Sequence, residues 1–394
     1  MTPAPGILLV STADWDNPFW TNKQHVAVEL ARQGRRVLYV ESSGLRRPSF
    51  RPRDVRRIFR RLARALRAPR EVRPGLWVWS PAVLPWHSAR TVRRLNRLGL
   101  RLGLALSARH AGLAPRVLWT YSPLTPELYD LHRFSQVIYH CVDDIGAQPG
   151  MPREAIAQAE AVLVRRADIV FTTAPALRDR HAAAGARRCV FLPNVADADH
   201  FGAALAKTTL VPADLAALSA PRIGFVGAVS GYKLDFALIR AVALARPAYS
   251  FVLIGQVGEG DPWTDVSPLR GLANLHLMGP RPYAELPAYL AGMDAAMLPG
   301  ATNTYTAAMF PMKLFEYLAA GLPVVATPLP ALAEVADLML VAPPEADAFA
   351  AALDRALAGE GACLEARLAA ARAHTYAQRT RDMLARIEAL DQPE

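Results

Sequence analysis

The sequence contains very little lysine. Of its 45 basic residues only four are lysines, at positions 23, 207, 233 and 313. Arginine therefore supplies the general positive charge of this protein. Lysine is a compact point charge on a flexible stem, whereas arginine is a planar fork. We therefore treat the few lysines that fall in loops or at helix starts as candidates for specific contacts with anions.

Cysteine and long apolar runs are also scarce. Cys141, Cys189 and Cys363 are odd in number, widely spaced and outside any CxxC pair, so neither a disulfide framework nor a zinc site is predicted. No run of 18 apolar residues occurs, which predicts no membrane-spanning helix. The first residues have no basic region, which predicts no secretion signal. These absences favour a cytoplasmic protein.

Acidic residues are nearly absent from one segment. Residues 46–73 hold twelve arginines against Asp54 and Glu71, which accounts for the whole net charge of +10. Within this segment, residues 53–69 carry an apolar stripe at helical spacing. A basic amphipathic helix of this kind is typical of proteins that lie on anionic membranes. We predict that residues 46–70 contact such a membrane. Nucleic acid is not expected as a partner, because aromatic stacking residues are scarce there, and a solvated helix is the other alternative.

Short apolar runs alternate with segments of helical period along the whole chain, which is typical of parallel sheets with crossover helices. Strands are predicted at 6–11, 36–41, 76–81, 116–121, 136–141, 168–173, 189–193, 222–229, 249–255, 274–279, 294–299, 322–327 and 338–343. Helices are predicted at 22–33, 88–108, 152–166, 175–184 and 374–390.

The predicted fold is α/β, with two Rossmann-like doubly wound domains facing a central cleft. At 394 residues the chain is long enough for two domains. We expect a first domain over residues 1–205, a second domain over 206–373 and a terminal helical segment over 374–394.

The segment PMKLFEYLAAGLPVVAT (311–327) is the most informative motif. Pro311 suits the first position of a helix, and Gly321 ends it. Lys313 then lies in the first turn, where an anion such as phosphate would explain a cation. Glu316 lies on the same face, one turn later, and can accept hydrogen bonds from ribose hydroxyls. An ordinary amphipathic helix with an i,i+3 ion pair is the alternative.

The segment GFVGAVSGYK (224–233) predicts a strand followed by a glycine-rich turn. Its spacing matches neither the dinucleotide fingerprint nor the P-loop. Gly227 nevertheless allows close approach of a ligand to the backbone, and Lys233 is long enough to contact a phosphate. A plain strand-to-helix turn is the alternative.

Two segments of the first half are candidates for the acceptor side. The loop DWDNPFWTNKQH (14–25) is aromatic and polar, and we expect Trp15, Trp20, Lys23 and His25 to face the cleft, unless the aromatic residues pack a domain edge. In QVIYHCVDDIGAQPG (136–150), His140, Asp143 and Asp144 follow a strand, where catalytic groups collect in open α/β sheets. Either aspartate is a candidate general base, helix capping being the alternative, and His140 is also compatible with a core position.

Together these segments resemble GT-B glycosyltransferases that use nucleotide-activated sugars, including teichuronic-acid glycosyltransferases and the xanthan-type glucuronosyltransferase. The resemblance covers nearly the whole chain and is most specific at FPMKLFEYLAAGLPVVAT. It implies that residues 1–205 form the acceptor domain, that residues 206–373 form the nucleotide-sugar donor domain and that the helix over 374–394 returns to the first domain. It implies that Glu316 holds the ribose and that Lys313 and Lys233 hold the diphosphate. It further places the residues beside them in the donor site: Met312, Asn303, Thr304 and Thr306.

The resemblance also bears on the reaction. Asp143 or Asp144 would be the acceptor base if the enzyme inverts. Retaining members carry a second glutamate eight residues before the ribose-binding one, where this sequence has Ala308. No metal or other cofactor is expected, and the nucleotide sugar is a substrate.

The expected function is transfer of a sugar from a nucleoside-diphosphate donor to a lipid-linked or polysaccharide acceptor, in envelope or exopolysaccharide synthesis. The enzyme would act peripherally at the inner face of the cytoplasmic membrane. The alternatives are a nucleotide-sugar epimerase of the same fold and a non-catalytic binding protein of a polysaccharide-assembly complex.

Overall fold

The structure is a computed structural model that describes residues 6–17, 20–42, 67–81, 83 and 90–390. Most of the arginine-rich segment, including the helix expected over 53–69 as far as residue 66, lies outside the described residues. The chain divides into two compact units. The first comprises residues 1–173, 177–192 and 380–394, and the second comprises 174–176 and 193–379.

Fourteen strands are described: β1 Gly6–Val10, β2 Val37–Val40, β3 Arg70–Arg73, β4 Leu76–Trp79, β5 Pro115–Thr120, β6 Gln136–Cys141, β7 Ile169–Thr172, β8 Cys189–Phe191, β9 Arg222–Val226, β10 Ser250–Ile254, β11 Leu275–Gly279, β12 Ala295–Leu298, β13 Val324–Ala326 and β14 Leu340–Val341.

The α-helices of the described residues are α1 Asn22–Arg32, α2 Arg90–His110, α3 Thr125–Leu128, α4 Arg153–Arg166, α5 Pro175–Ala183, α6 Ala198–Gly202, α7 Ala213–Ala216, α8 Phe236–Ala245, α9 Leu286–Ala291, α10 Lys313–Ala319, α11 Ala346–Leu357, α12 Leu364–Ala373 and α13 Tyr376–Glu388. Short 3-10 turns lie between them, among them Ile145–Ala147 and Thr306–Ala308. Within the described part of the chain, every helix is too short or too polar to span a bilayer.

The first unit is built on an eight-stranded sheet in the order β3-β4-β2-β1-β5-β6-β7-β8. All neighbouring strands are parallel except β3 and β4. All five residues of β1 are buried, as expected for a parallel strand covered on both faces. The sequence prediction missed β3, because this edge strand is rich in arginine and mostly exposed.

The second unit is built on a six-stranded parallel sheet in the order β11-β10-β9-β12-β13-β14. Its central strands are buried except for Arg222 at the start of β9. The core includes Ile223, Phe251 and Met297 from the sheet with Ile239 of α8 and Leu353 of α11. Both sheets are therefore doubly wound and Rossmann-like, which confirms the predicted α/β class. Twelve of the fourteen described strands fall within predicted runs, and β5 begins one residue before its predicted run.

The division between the units lies at residue 192, earlier than the boundary expected at 205. The residues that follow this division belong to the second unit because their side chains form contacts there. Asn194 donates a hydrogen bond to the Phe310 carbonyl at 2.6 Å, and the His200 ring stacks on Tyr283 at 4.1 Å between centroids. Residues 380–394 group with the first unit, where Arg35 Nη2 pairs with Glu388 Oε1 at 2.5 Å.

Tyr317 fastens α10 to the central strand β9. Strand β12 pairs with β9 only at Ile223 and Gly224. Beyond that point, the Val226 amide donates to the Tyr317 hydroxyl at 2.7 Å, and this hydroxyl donates to the Val226 carbonyl at 3.3 Å. The side chain thus replaces a missing neighbour in the sheet.

We expect Tyr317→Phe to lower the free energy of unfolding of the second unit by about 1–2 kcal/mol, because it leaves two buried backbone groups of Val226 without a partner. Chemical denaturation measures the change. Tyr249→Phe is the matched control: its hydroxyl bonds Asp354 at a half-exposed place where water can substitute. Equal losses in the two variants would contradict the role given to Tyr317.

Candidate functional site

Helix α10 presents Lys313 and Glu316 on one face, as the sequence predicted. Lys313 Nζ lies 2.8 Å from Glu316 Oε2. The Glu316 side chain is 4% exposed and that of Lys313 is 27% exposed. A buried carboxylate needs a cation or several donors to remain ionised. The two residues form the i,i+3 ion pair that was the alternative interpretation of this motif.

The ends of α10 differ slightly from the prediction. The helix begins at Lys313 after the N-cap Met312, so Pro311 precedes the cap and does not occupy the first helical position. At the other end Gly321 has φ +77°, and the amides of Gly321 and Leu322 bond the carbonyls of Leu318 and Tyr317. These are the bonds of a Schellman cap. Because α10 has only seven residues, its dipole contributes little. Lys313 therefore supplies most of the positive charge at the N-terminal end of the helix.

Two glycines bring the backbone close to Lys313. A Cβ atom added at Gly227 would lie 3.5 Å from Lys313 Cε and 3.0 Å from Phe225 Cζ. Gly255, with φ +154°, packs so closely that a Cβ atom there would lie 1.8 Å from the Gly227 carbonyl oxygen. The backbone after β9 therefore passes beside the lysine, at the carboxyl end of the sheet, where ligands bind in open α/β folds.

Lys233 lies among aromatic rings that the sequence analysis did not select. Its Nζ is 5.4 Å from the ring centroid of Tyr232 and 6.0 Å from that of Tyr305, within the range of a cation–π contact. The backbone carbonyl of Lys233 accepts from the Ala301 amide at 3.0 Å. The glycine-rich turn and the loop after β12 are thus bonded together. The tyrosine directly before Lys233 was the available signal.

Asn303 and Thr306 shape the loop that follows β12. Asn303 Nδ2 donates to the Tyr232 carbonyl at 2.9 Å, and its Oδ1 accepts from the amides of Tyr305 and Thr306. The Thr306 hydroxyl donates to the Ala301 carbonyl at 2.5 Å, and Thr306 is fully buried. A donor-binding side chain needs exposed surface, so Thr306 supports the loop in this structure, whereas Thr304 is exposed and Met312 is half-buried.

A cavity of about 490 Å³ opens beside these two loops. Its lining combines the glycine-rich turn, the start of α8 and the loop after β12: Gly231, Leu234, Asp235, Phe236, Ala301, Thr302 and Pro344. The second unit thus groups Gly227, Lys233, Asn303, Lys313 and Glu316 on loops and helix starts at the carboxyl ends of β9 and β12.

The aromatic loop of the first unit is only partly available to a ligand. Trp15 is buried against Tyr39 and Trp20, and His25 is buried beside Trp20. Both side chains pack inside the first unit and offer little surface to a ligand. Trp20 and Lys23 keep part of their surface, and Lys23 Nζ lies 5.9 Å from the Tyr121 ring centroid.

His140 occupies the core of the first unit. It is fully buried and lies between the rings of Tyr121, at 4.7 Å, and of Trp119 and Phe171. A side chain enclosed in this way does not contact a substrate. The structure therefore favours the core position for His140 over the catalytic role.

Asp144 belongs to an ion-pair network, whereas Asp143 is half-buried on the adjoining turn. Asp144 Oδ2 lies 2.5 Å from Arg180 Nη1, and Arg180 Nη2 lies 3.5 Å from Glu160 Oε2. The Tyr139 hydroxyl donates to Glu160 Oε1 at 2.6 Å. Burial raises the pKa of Glu160. Sequence reasoning missed Glu160 and Arg180, because only folding brings them from separate helices to the end of β6.

Cys141, Glu160 and His181 offer atoms that lie within 4.8 Å of one another. The spacing of the cysteines in the sequence predicted no zinc site and gave no sign of this grouping. His181 Nε2 is 3.9 Å from Glu160 Oε1. Burial, with the charge of Arg180, lowers the pKa of His181 from its ordinary 6.5 to about 4, so the imidazole is neutral at pH 7. The adjacent guanidinium opposes a further cation here.

Comparison with known proteins shows which family the second unit matches. Residues 220–359 match the family described as "Glycosyl transferases group 1". They form a glycosyltransferase group 1 domain, and it contains the candidate donor residues from Gly227 to Glu316. The overall architecture is the GT-B fold of two Rossmann-like domains.

Particular relatives agree with this assignment. A protein of Bacillus subtilis named as a teichuronic acid biosynthesis glycosyltransferase, TuaH, is 32% identical over 231 residues, or 55% of this chain. That match spans 57% of TuaH, so the chain covers little more than half the length of this curated relative.

Solved structures show the same fold over nearly the whole chain. Sucrose-phosphate synthase from Thermosynechococcus elongatus has a TM-score of 0.70 and 17% identity, covering 98% of this chain and 99% of that one. HepE of Anabaena, solved in complex with UDP and glucose, has a TM-score of 0.64 and 15% identity, with the same coverage.

The depressed pKa of His181 predicts a pH dependence of stability. The unfolded chain binds a proton at His181 below about pH 6.5 and the folded chain only below about 4. Stability contributed by this residue is therefore lost as the pH falls between these values. From pH 7 to pH 5 the loss is about 2 kcal/mol.

Chemical denaturation of wild type and His181→Gln at both pH values isolates this contribution. Glu160, whose pKa is raised, acts in the opposite sense, because protonation favours the folded state there. Only the difference between the two proteins is therefore diagnostic. An unchanged dependence on pH in the variant would refute the assignment.

Proposed function

We propose that this protein transfers a sugar from a nucleoside-diphosphate donor to a lipid-linked or polysaccharide acceptor at a membrane. The buried pair of Lys313 and Glu316, inside the glycosyltransferase group 1 domain, carries the proposal. Support comes from the backbone at Gly227, which passes close to Lys313. Further support comes from the UDP bound in the structural neighbour HepE and from the name of TuaH.

The donor would be bound by an exchange of partners at the Lys313–Glu316 pair. In the structure Lys313 neutralises the buried carboxylate. When a nucleotide enters, the ribose hydroxyls donate to Glu316, and Lys313 moves its charge toward the diphosphate. Neither group is then left buried without a partner, which would cost several kcal/mol. The half-buried position of Lys313 gives its flexible stem the freedom for this movement.

Catalysis would consist mainly of positioning and of stabilising the leaving group. Lys313 and Lys233 provide positive charge for the diphosphate as its bond to the sugar breaks. Because these two amines supply that charge, the proposed reaction requires no metal ion. The Asn303 side chain donates to the Tyr232 carbonyl and so holds the loop after β12 beside Lys233.

Asp143 is the better candidate for the acceptor base. Asp144 is held by Arg180, so its carboxylate is already engaged in an ion pair within the protein. This role requires a reaction that inverts the configuration at the sugar. It is consistent with Ala308, a buried methyl group in the turn Thr306–Ala308 where retaining relatives are expected to carry a glutamate. Trp20 and Lys23 would contribute to the acceptor side, and the basic segment 46–70 to the membrane contact.

Removing either member of the pair should weaken nucleotide binding. We expect Lys313→Ala and Glu316→Ala to raise the Kd for the preferred nucleotide among UDP, GDP and ADP by about tenfold to a hundredfold, the value of a hydrogen bond to a charged group. Isothermal titration calorimetry measures the affinities, and circular dichroism verifies that the fold is intact.

Lys207→Ala and Glu365→Ala are matched controls, because both residues are exposed on the same unit. They should bind nucleotide as wild type does. Equal binding of all three nucleotides to wild type and to both site variants would rule out this donor site.

The two aspartates should differ in their effects. Asp143→Asn should lower kcat by at least about 100-fold, as expected for loss of a general base, with unchanged nucleotide affinity. Asp144→Asn should mainly lower the thermal midpoint, because Arg180 loses a partner. Transfer is assayed with the nucleotide sugar that gives the largest thermal shift in a screen.

A wild-type kcat for Asp143→Asn would refute its assignment as base. If the purified protein interconverts two nucleotide sugars without any acceptor, it is an epimerase. If it binds donor but shows no turnover with any acceptor, it is a binding protein.

A further inference from the structure

Helix α2, Arg90–His110, exposes an apolar stripe. Leu95, Leu98, Leu102 and Leu106 are 60%, 55%, 57% and 70% exposed. Isolated exposed leucines are ordinary in soluble proteins, but a contiguous row of them marks an interaction surface. We define these four residues as the leucine stripe.

The opposite side of α2 is buried, and its packing sets the orientation of the helix. Asn96, Leu100 and Ser107 are buried, and Gly103 lies so close to Trp79 that a Cβ atom there would be 2.6 Å from Trp79 Cζ2. The buried side is therefore packed against β4 without room for a larger residue. The leucine stripe faces outward because this packing holds it there.

Charge accompanies the stripe. At 100° per residue the four leucines fall within a sector of about 80° and extend for about 17 Å. Arg94 and Arg101, both exposed, lie along one edge of that sector, and Arg109 lies beyond its end. The helix contains six arginines and no acidic residue. Arg97 is committed within the protein, where it donates to the carbonyls of Glu127 and Pro126.

We propose that the leucine stripe and its flanking arginines dock on the surface of an anionic lipid bilayer. Outward leucines bordered by arginine match a membrane surface, where acyl chains accept the apolar side chains and anionic headgroups attract the cations. A second copy of the chain would bring two arginine-rich helices together, so charge complementarity favours lipid. The inference deepens the proposed function, since a lipid-linked acceptor is reached at such a surface, and it concerns a helix separate from residues 46–70.

Flotation of the full-length protein with vesicles tests the proposal. Vesicles of phosphatidylcholine alone are compared with vesicles containing 30% phosphatidylglycerol, about one anionic lipid in three. Leu98→Ser/Leu102→Ser/Leu106→Ser should reduce the partition coefficient on anionic vesicles at least tenfold. Arg94→Ala/Arg101→Ala should reduce it on anionic vesicles and leave the weak binding to neutral vesicles unchanged.

The matched control is Leu210→Ser/Leu244→Ser, which removes exposed leucines of the second unit and should float as wild type does. A variant with the arginines between residues 46 and 64 changed to glutamine measures the contribution of that segment separately. Circular dichroism of each variant establishes that it is folded.

Equal flotation of wild type and the leucine-stripe variant would overturn the proposal. It would also be overturned if the stripe variant changed the oligomeric state of the protein in gel filtration without changing its flotation, since the stripe would then bind a second copy. Nucleotide binding measured without vesicles separates this outcome from a failure of the proposed function. Loss of nucleotide affinity there concerns Lys313 and Glu316, whereas loss of flotation concerns α2.

Discussion

The burial of Glu316 is the constraint on which the second unit depends. A carboxylate that is 4% exposed needs a compensating cation, and Lys313, one turn earlier, provides it at 2.8 Å. The same helix presents Tyr317 to the backbone of β9 and ends in a Schellman cap at Gly321. Lys313 and Glu316, two of the residues proposed to bind the donor, therefore sit on an element whose position is set by core packing, and such sites hold their geometry better than sites on free loops.

The first unit uses its buried polar groups differently. Tyr139, Glu160, Arg180 and Asp144 form one connected network at the end of β6. Its cost in desolvation is offset only while every member keeps its partner. This network holds the turn that carries Asp143 and leaves Asp144 committed to Arg180. The different roles proposed for the neighbouring aspartates thus follow from which of them the guanidinium engages.

Much of the fold was predictable because buried parallel strands are continuous apolar runs, which can be recognised directly in a sequence. Strand β3 was missed since its arginines carry no such pattern. Site residues were harder to predict. Lys313 and Glu316 share a face by helical spacing alone, but the burial of His140 and Trp15 depends on aromatic rings that come from distant parts of the chain.

The sequence by itself determined the α/β class, the order of the strands along the chain and the pairing of Lys313 with Glu316, because each of these depends on local periodicity. Only the tertiary structure decided which candidates are enclosed, which aspartate is paired with Arg180, and that the leucines of α2 face outward. Those outcomes depend on contacts between residues far apart in sequence, and the local sequence pattern does not specify such contacts.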